Sequence, residues 1–285
     1  MDNFRYLEHY KNWLSASGQR TQYGLSIKSF IEFCKEKQTE YKDITFDLLN
    51  EYIITLKNRN LAEGTINNYI KAFRSFYTFL VKSKVVEQKV FDVTMQITML
   101  KVVEKERVYV TEAELDEIIE MASTFLKSPS PQKIKAILYF MFYSGVRKSE
   151  VANLKREDIN LEHNYAVIKA PVKNKKERKV PFTKKTAKAI SSYYATVIED
   201  KKAFNISYSG LANLFDRLEE FAPSGKVFTP HILRTSFFYF LGKQGFNLRE
   251  MQKLGGHLSI ESTKRYYNPD INQVLDTYNQ KLKGK

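Results

Sequence analysis

The sequence predicts a mainly α-helical chain of two domains, the second containing a small antiparallel β-sheet. Three observations predict it. Apolar residues recur at helical spacing through most of the first third of the chain, and that pattern breaks between Val85 and Val108, where charge alternates with short apolar runs. Further on, Tyr165 to Ala170 and Glu177 to Phe182 read as two strands around the polar turn KNKK. With 285 residues the chain is long enough for two separate cores. The expected division is a helical domain over 1–87, a linker over 88–108 and a second domain over 109–285.

In the first domain, Asn3 to Leu14 and Thr21 to Lys35 read as amphipathic helices, the second with Ile27, Phe30, Ile31 and Cys34 on one stripe. A third runs from Phe46 to Lys57. In the fourth, Ile66, Tyr69, Ile70, Phe73, Tyr77 and Leu80 recur behind Thr65, a residue suited to cap the first turn. Its other face carries Asn67, Asn68, Lys71 and Arg74, which read as a solvated surface.

The second domain opens at Thr111, where TEAE forms a capping box and starts a helix to Phe125. The apolar run Ile134 to Tyr143 reads as a buried helix ended by Gly145. After the two strands, helices are expected over Lys184 to Glu199 and Ser207 to Ala222. Near the end, Asn268 and Pro269 start a helix whose apolar stripe is Ile271, Val274, Leu275, Tyr278 and Leu282. Such a face must be buried, either on its own domain or on another molecule.

Composition narrows the function classes. Lys and Arg exceed Asp and Glu by 46 to 32, a net charge of +14, so the field around the folded chain gathers phosphate and nucleic acid is the expected partner, with a merely lysine-rich soluble protein and a membrane-surface binder as the other readings of the charge. The sequence contains no run of eighteen apolar residues and opens without the regions of a signal peptide, so a cytoplasmic protein away from the membrane is expected. Cys34 is the single cysteine, which excludes an intramolecular disulfide and a thiolate metal cluster; its place on an apolar stripe assigns it to packing.

Phosphate chemistry concentrates in the segment from His231 to Tyr267. His231 and Arg234 lie three residues apart, which in a helix sets an imidazole and a guanidinium on one face, toward one small anion. Thr229 and Pro230 are a cap and first-turn residue for that helix. His257 follows Gly255 and Gly256, and Tyr266 lies nine residues later. Upstream, GVRKSE supplies Arg147 and Glu150, and eight basic residues lie between Lys169 and Lys185. Taken singly, each is commonplace: a solvated helix face, a packed tyrosine, a basic hairpin tip.

In combination and in this order, the residues resemble the tyrosine recombinases, the integrase and Xer family. The resemblance spans nearly the whole chain, and it implies the two-domain tyrosine recombinase fold, with a helical core-binding domain and an α+β catalytic domain. It matches Arg147 to the family's first arginine, His231 and Arg234 to its HxxR motif, His257 to the histidine of its LGH motif, Lys173 to the hairpin lysine, Tyr266 to the nucleophile and Glu150 to the supporting acid. Thr235, the LGGH sequence and YYNPD depart from the usual Xer pattern, and the last leaves Tyr267 beside Tyr266 as an alternative nucleophile.

Further expectations follow from the resemblance. The substrate is double-stranded DNA with inverted-repeat half-sites, bound in part by Lys71, Arg74, Lys175 and Lys176, and neither a metal nor any other cofactor is needed. The terminal helix would link protomers into a homotetramer on DNA. The roles implied are Xer-type dimer resolution or, alternatively, integration of a mobile element or virus. A non-catalytic DNA-binding protein and a type IB topoisomerase are the readings from other classes.

Overall fold

The computed structural model describes residues 5–19, 21–102, 108–169, 177–198 and 201–256, and its contacts divide the chain into two compact units, Met1–Lys105 and Glu106–Lys285. The first unit is built of five helices among the described residues: α1 (Arg5–Ala16), α2 (Tyr23–Glu36), α3 (Phe46–Asn58), α4 (Glu63–Lys82) and α5 (Gln88–Gln96). The apolar stripe of α4 places Ile66, Ile70, Phe73, Tyr77 and Leu80 in a core shared with α2 and α3. Aromatic rings dominate that core; Phe30 lies 4.9 Å from Phe73 and 5.2 Å from Tyr52 between ring centres. Cys34 is 1% exposed, and burial pushes its thiol pKa up to about 12.

Two expectations change here. Thr65 does not cap α4; the helix starts two residues earlier at Glu63, with Ala62 in extended conformation as a cap that makes no side-chain hydrogen bond. The segment read as linker contains α5, which packs on α3 and α4. Nine residues give too short a stripe for periodicity, and tertiary contacts hold the helix instead. Arg74 donates from Nη2 to the Ile97 carbonyl at 2.9 Å, and Asn67 pairs with both backbone groups of Leu100 at 2.8 and 2.9 Å. Part of the supposed outer face of α4 is therefore covered, while Lys71 stays exposed.

The second unit contains α6 (Glu112–Phe125), α7 (Pro131–Ser144), α8 (Lys148–Asn153), strands β1 (Ile159–Asn160), β2 (Tyr165–Ile168) and β3 (Arg178–Pro181), then α9 (Lys184–Tyr194), α10 (Tyr208–Leu218), α11 (Pro230–Lys243) and α12 (Leu248–Gly255). The strands form one antiparallel sheet in the order β1-β2-β3, with Tyr165 opposite Pro181 and Ile168 opposite Arg178. The two-residue β1 is too short to read from alternation. The Thr111–Glu114 capping box that opens α6 is present, with both reciprocal hydrogen bonds.

Helix α7 is the buried axis of this unit: Ile134 and every residue from Ala136 to Ser144 are buried. It packs on α6, α9 and α11. Gly145 ends it in the left-handed region at φ 61°, where a Cβ would fall 2.1 Å from the Phe237 ring, so only glycine fits. Helix α11 buries two sides. Leu233 joins the main core, and Phe237, Phe238 and Leu241 pack with Met251 of α12. Helices α9 and α10 end at Tyr194 and Leu218, short of the expected Glu199 and Ala222, with a single 3-10 turn, Glu219–Phe221, following α10. The hairpin turn KNKK and the helix after Pro269 lie outside the described residues.

Candidate active site

Three segments of the second unit converge on one cleft of about 360 Å³, whose wall includes Arg147, Lys148, Tyr208, His231 and Arg234. Thr229 caps α11 by accepting from the Ile232 amide at 3.2 Å, and Pro230 fills the first helical position. That start places His231 at the exposed rim and Arg234, one turn in, on the same side.

Arg234 is only 4% exposed. Its guanidinium bridges two carbonyls, donating from Nη1 to Gly145 and from Nη2 to Gly255 at 2.6 Å, and lies 5.2 Å from the centre of the Phe238 ring. A buried charge needs such partners, and backbone carbonyls supply them without neutralising it. The turn after α7 and the end of α12 thus orient the cation.

Arg147 is held differently. It is the N-cap of α8, and Glu150 accepts its backbone amide at 2.7 Å, forming the acidic half of a capping box. The two residues are therefore related as the N-cap and the third residue of one short helix. Glu150 Oε1 also accepts from Arg147 Nη1 at 3.1 Å, and Arg147 Nη2 reaches the Gly256 carbonyl at 3.4 Å. With its side chain 43% exposed, Arg147 faces the cleft more openly than Arg234.

Glu150 has a second cation that the sequence reading did not single out. Arg178, at the start of β3, makes a two-pronged pair with it, Nη1 to Oε1 and Nη2 to Oε2, both 2.9 Å. Burial by itself would raise the Glu150 carboxyl, but the hydrogen bonds and charge of Arg178, followed by those of Arg147, outweigh it and hold the pKa below the ordinary glutamate range. The available signal was a glutamate matched to a supporting role, which calls for basic partners, and Arg178 stands at the start of the second predicted strand, Glu177 to Phe182. Lys148 and Tyr208 were likewise not singled out; the Lys148 ammonium sits 3.8 Å from the Tyr208 ring centre on the cleft wall.

Arg74 binds the backbone after α5, as described above, so its guanidinium is committed to the packing of the first unit. Lys71 is exposed on α4. Lys173, Lys175, Lys176, His257, Tyr266 and Tyr267 lie outside the described residues.

A helical N-terminal unit followed by a helical unit with a small antiparallel sheet is the layout of the chain, and comparison with known proteins supplies its class. The chain matches the phage integrase family over residues 108–273 and the phage integrase N-terminal SAM-like domain over residues 4–84. It belongs to the phage integrase family, the tyrosine recombinases, and within that family it is Xer-like. Tyrosine recombinase XerC of Roseiflexus castenholzii is 30% identical over 263 residues, covering 86% of this chain and 81% of that protein. XerC of Bacillus subtilis is 24% identical, covering 89% and 86%. Among solved structures, XerA recombinase superposes with a TM-score of 0.52 at 22% identity, covering 97% of this chain and 98% of that one. The Tn1549 transposon integrase in complex with transposon right end DNA gives 0.72 at 16% identity, covering 97% and 98%. No helix among the described residues is long and apolar enough to cross a membrane.

Proposed function

We propose that the chain is a site-specific recombinase that cuts a DNA strand by attack of Tyr266, holds it as a 3′-phosphotyrosine and rejoins it to another 5′-hydroxyl. The observation that carries this reading is the convergence of Arg147, His231 and Arg234, from distant parts of the sequence, on one cleft. A phosphodiester resists attack because its own charge repels the nucleophile and the transition state concentrates more charge on the nonbridging oxygens. Two guanidinium groups that stay charged at any relevant pH offset that repulsion, and their planar donors suit phosphate oxygens.

His231 at the rim accepts the phenolic proton of Tyr266, whose ordinary pKa of about 10 leaves it protonated near neutrality. His257 adds a hydrogen bond to the phosphate, and Lys173 protonates the departing 5′ oxygen. The phosphotyrosine keeps the phosphodiester linkage energy, so a second hydroxyl reverses the step without ATP. Glu150 supports the site by fixing Arg147 at the start of α8. The substrate is a duplex with inverted half-sites, and the stripe from Ile271 to Leu282 links protomers into a tetramer there. An Xer-type role in resolving chromosome or plasmid dimers fits the 30% identity to XerC.

The test begins with duplexes recovered from a randomised inverted-repeat pool by binding to the Tyr266→Phe protein. A nicked form of the selected duplex is then incubated with each protein and resolved on a denaturing gel. The expected result is a covalent adduct with the wild type and with Tyr267→Phe, and none with Tyr266→Phe. Tight binding with no adduct from any form would leave a DNA-binding protein without catalysis. Relaxation of any supercoiled plasmid without site preference would indicate a topoisomerase.

A further inference from the structure

The Glu150 carboxylate is saturated by four donors: Arg178 Nη1 and Arg147 Nη1 on Oε1, and Arg178 Nη2 and the Arg147 amide on Oε2. Arg178 takes the two-pronged position. Arg147 is left with a single side-chain contact to the acid, and its remaining donors turn toward Gly256 and the cleft. A carboxylate that is 13% exposed attracts whatever guanidinium can reach it, and the two-pronged geometry is the strongest form of that attraction. Without Arg178, Arg147 is the nearest group able to adopt it, and doing so would draw the cation out of the cleft.

Arg178 has two further contacts, both with the end of α12. Its Nε donates to the Leu254 carbonyl in the last turn of α12 at 3.2 Å. Its guanidinium also packs on Gly256, where a Cβ would stand 2.9 Å from Nε and Cζ, and Gly256 itself sits in the left-handed region at φ 59°. One side chain on β3 thus fixes the first turn of α8 and the end of α12, the chain leading directly into His257. We propose that Arg178 is a positioning residue for DNA cleavage: by occupying Glu150 it keeps Arg147 available to the scissile phosphate, and it sets α12 in register with α8. This inference rests on the reading of the cleft as a recombinase active site.

The experiment measures single-turnover cleavage of the nicked selected duplex and its equilibrium binding, together with a crystal structure of the free Arg178→Gln protein. Arg178→Gln should lower the cleavage rate about a hundredfold, the order expected when one positioned cation is lost from a phosphate site, while changing duplex affinity by less than about threefold. The double variant Glu150→Gln with Arg178→Gln removes the competing charge and should recover at least about tenfold of that rate. The structure of Arg178→Gln should show both Arg147 Nη atoms on Glu150. Arg178→Lys, which keeps the charge and loses the fork, serves if the glutamine variant does not fold, with the same displacement of Arg147 and a smaller loss of rate expected.

Wild-type rates in the single variants, or an unmoved Arg147 with no rescue in the double variant, would overturn the inference. If the wild type forms no adduct while Arg147 still moves in Arg178→Gln, the recombinase reading fails and the geometric coupling stands. An active wild type with Arg147 unmoved has the opposite meaning.

Discussion

Arg234 and Arg147 are both cationic, yet their environments give them different sensitivities. Arg234 is buried and bound by two carbonyls whose partners would be lost together, so Arg234→Lys should fold less stably and cleave at least about a hundredfold more slowly. Denaturant titration and single-turnover cleavage would show the two losses separately. Glu150 gives a pH prediction with a definite sign. Its folded pKa lies below the unfolded value, so the stability it contributes is present above the ordinary glutamate value of about 4.3 and is lost as pH falls through the depressed folded value. The stability difference between wild type and Glu150→Gln should therefore be largest above about pH 5 and shrink on acidification, as followed by urea unfolding at a series of pH values. A difference that grows toward acid would show that the carboxylate is not the stabilising form. Cys34, 1% exposed with its thiol pushed up to about 12, should resist alkylation at pH 8 in the folded protein and react once urea unfolds it.

At the scale of elements, the two short helices beside the cleft, α8 and α12, depend on their caps. Asn247 accepts from the Arg249 and Glu250 amides at 3.0 and 3.1 Å, and Glu250 returns a contact to the Asn247 amide at 2.8 Å, closing a capping box over the eight residues of α12. Asn247→Ala should cost about 1 kcal/mol, read as a lower urea midpoint. Faster hydrogen exchange at residues 253–256 should accompany it, because that turn supplies the carbonyls that Arg178 and Arg234 bind. The same short elements mark where the sequence was hardest to read. The long stripes of α2, α3 and α4 were legible because several turns of apolar residues face one core, and α7 was legible as a continuous apolar run closed by glycine. Helix α5 has nine residues, most of them exposed, and is held by the packing of Val90, Phe91 and Val93 on the core of the first unit, so its sequence contains little of its cause. The residues around the cleft stood out as isolated motifs in GVRKSE and HILR, but the clamp of Arg178 on Glu150 joins positions 28 apart across a strand and a cap, a relation no local spacing encodes.

For the molecule as a whole, the net charge of +14 sets how DNA affinity responds to salt. Each phosphate neutralised releases counterions, so the logarithm of the binding constant should fall linearly with the logarithm of salt concentration, with a slope of about −0.9 per contact on duplex DNA. A footprint of six or more phosphates would lose roughly a thousandfold in affinity between about 50 and 200 mM salt. Lys71 and Arg74 separate surface charge from structural charge within this total. Lys71 is exposed on α4, so Lys71→Gln should weaken binding to all duplexes equally and reduce the slope by about one unit if that face lies on the backbone, with the thermal midpoint unchanged. Arg74 ties α4 to the backbone after α5, so Arg74→Gln should lower the stability of the first unit and alter binding only through that loss. Fluorescence anisotropy with a labelled duplex across a salt series, paired with thermal unfolding of each variant, measures both quantities. A slope unchanged in Lys71→Gln would place the DNA-facing surface of the first unit away from α4, whereas a slope reduced in Arg74→Gln with stability intact would mean that the guanidinium leaves its carbonyls to meet phosphate.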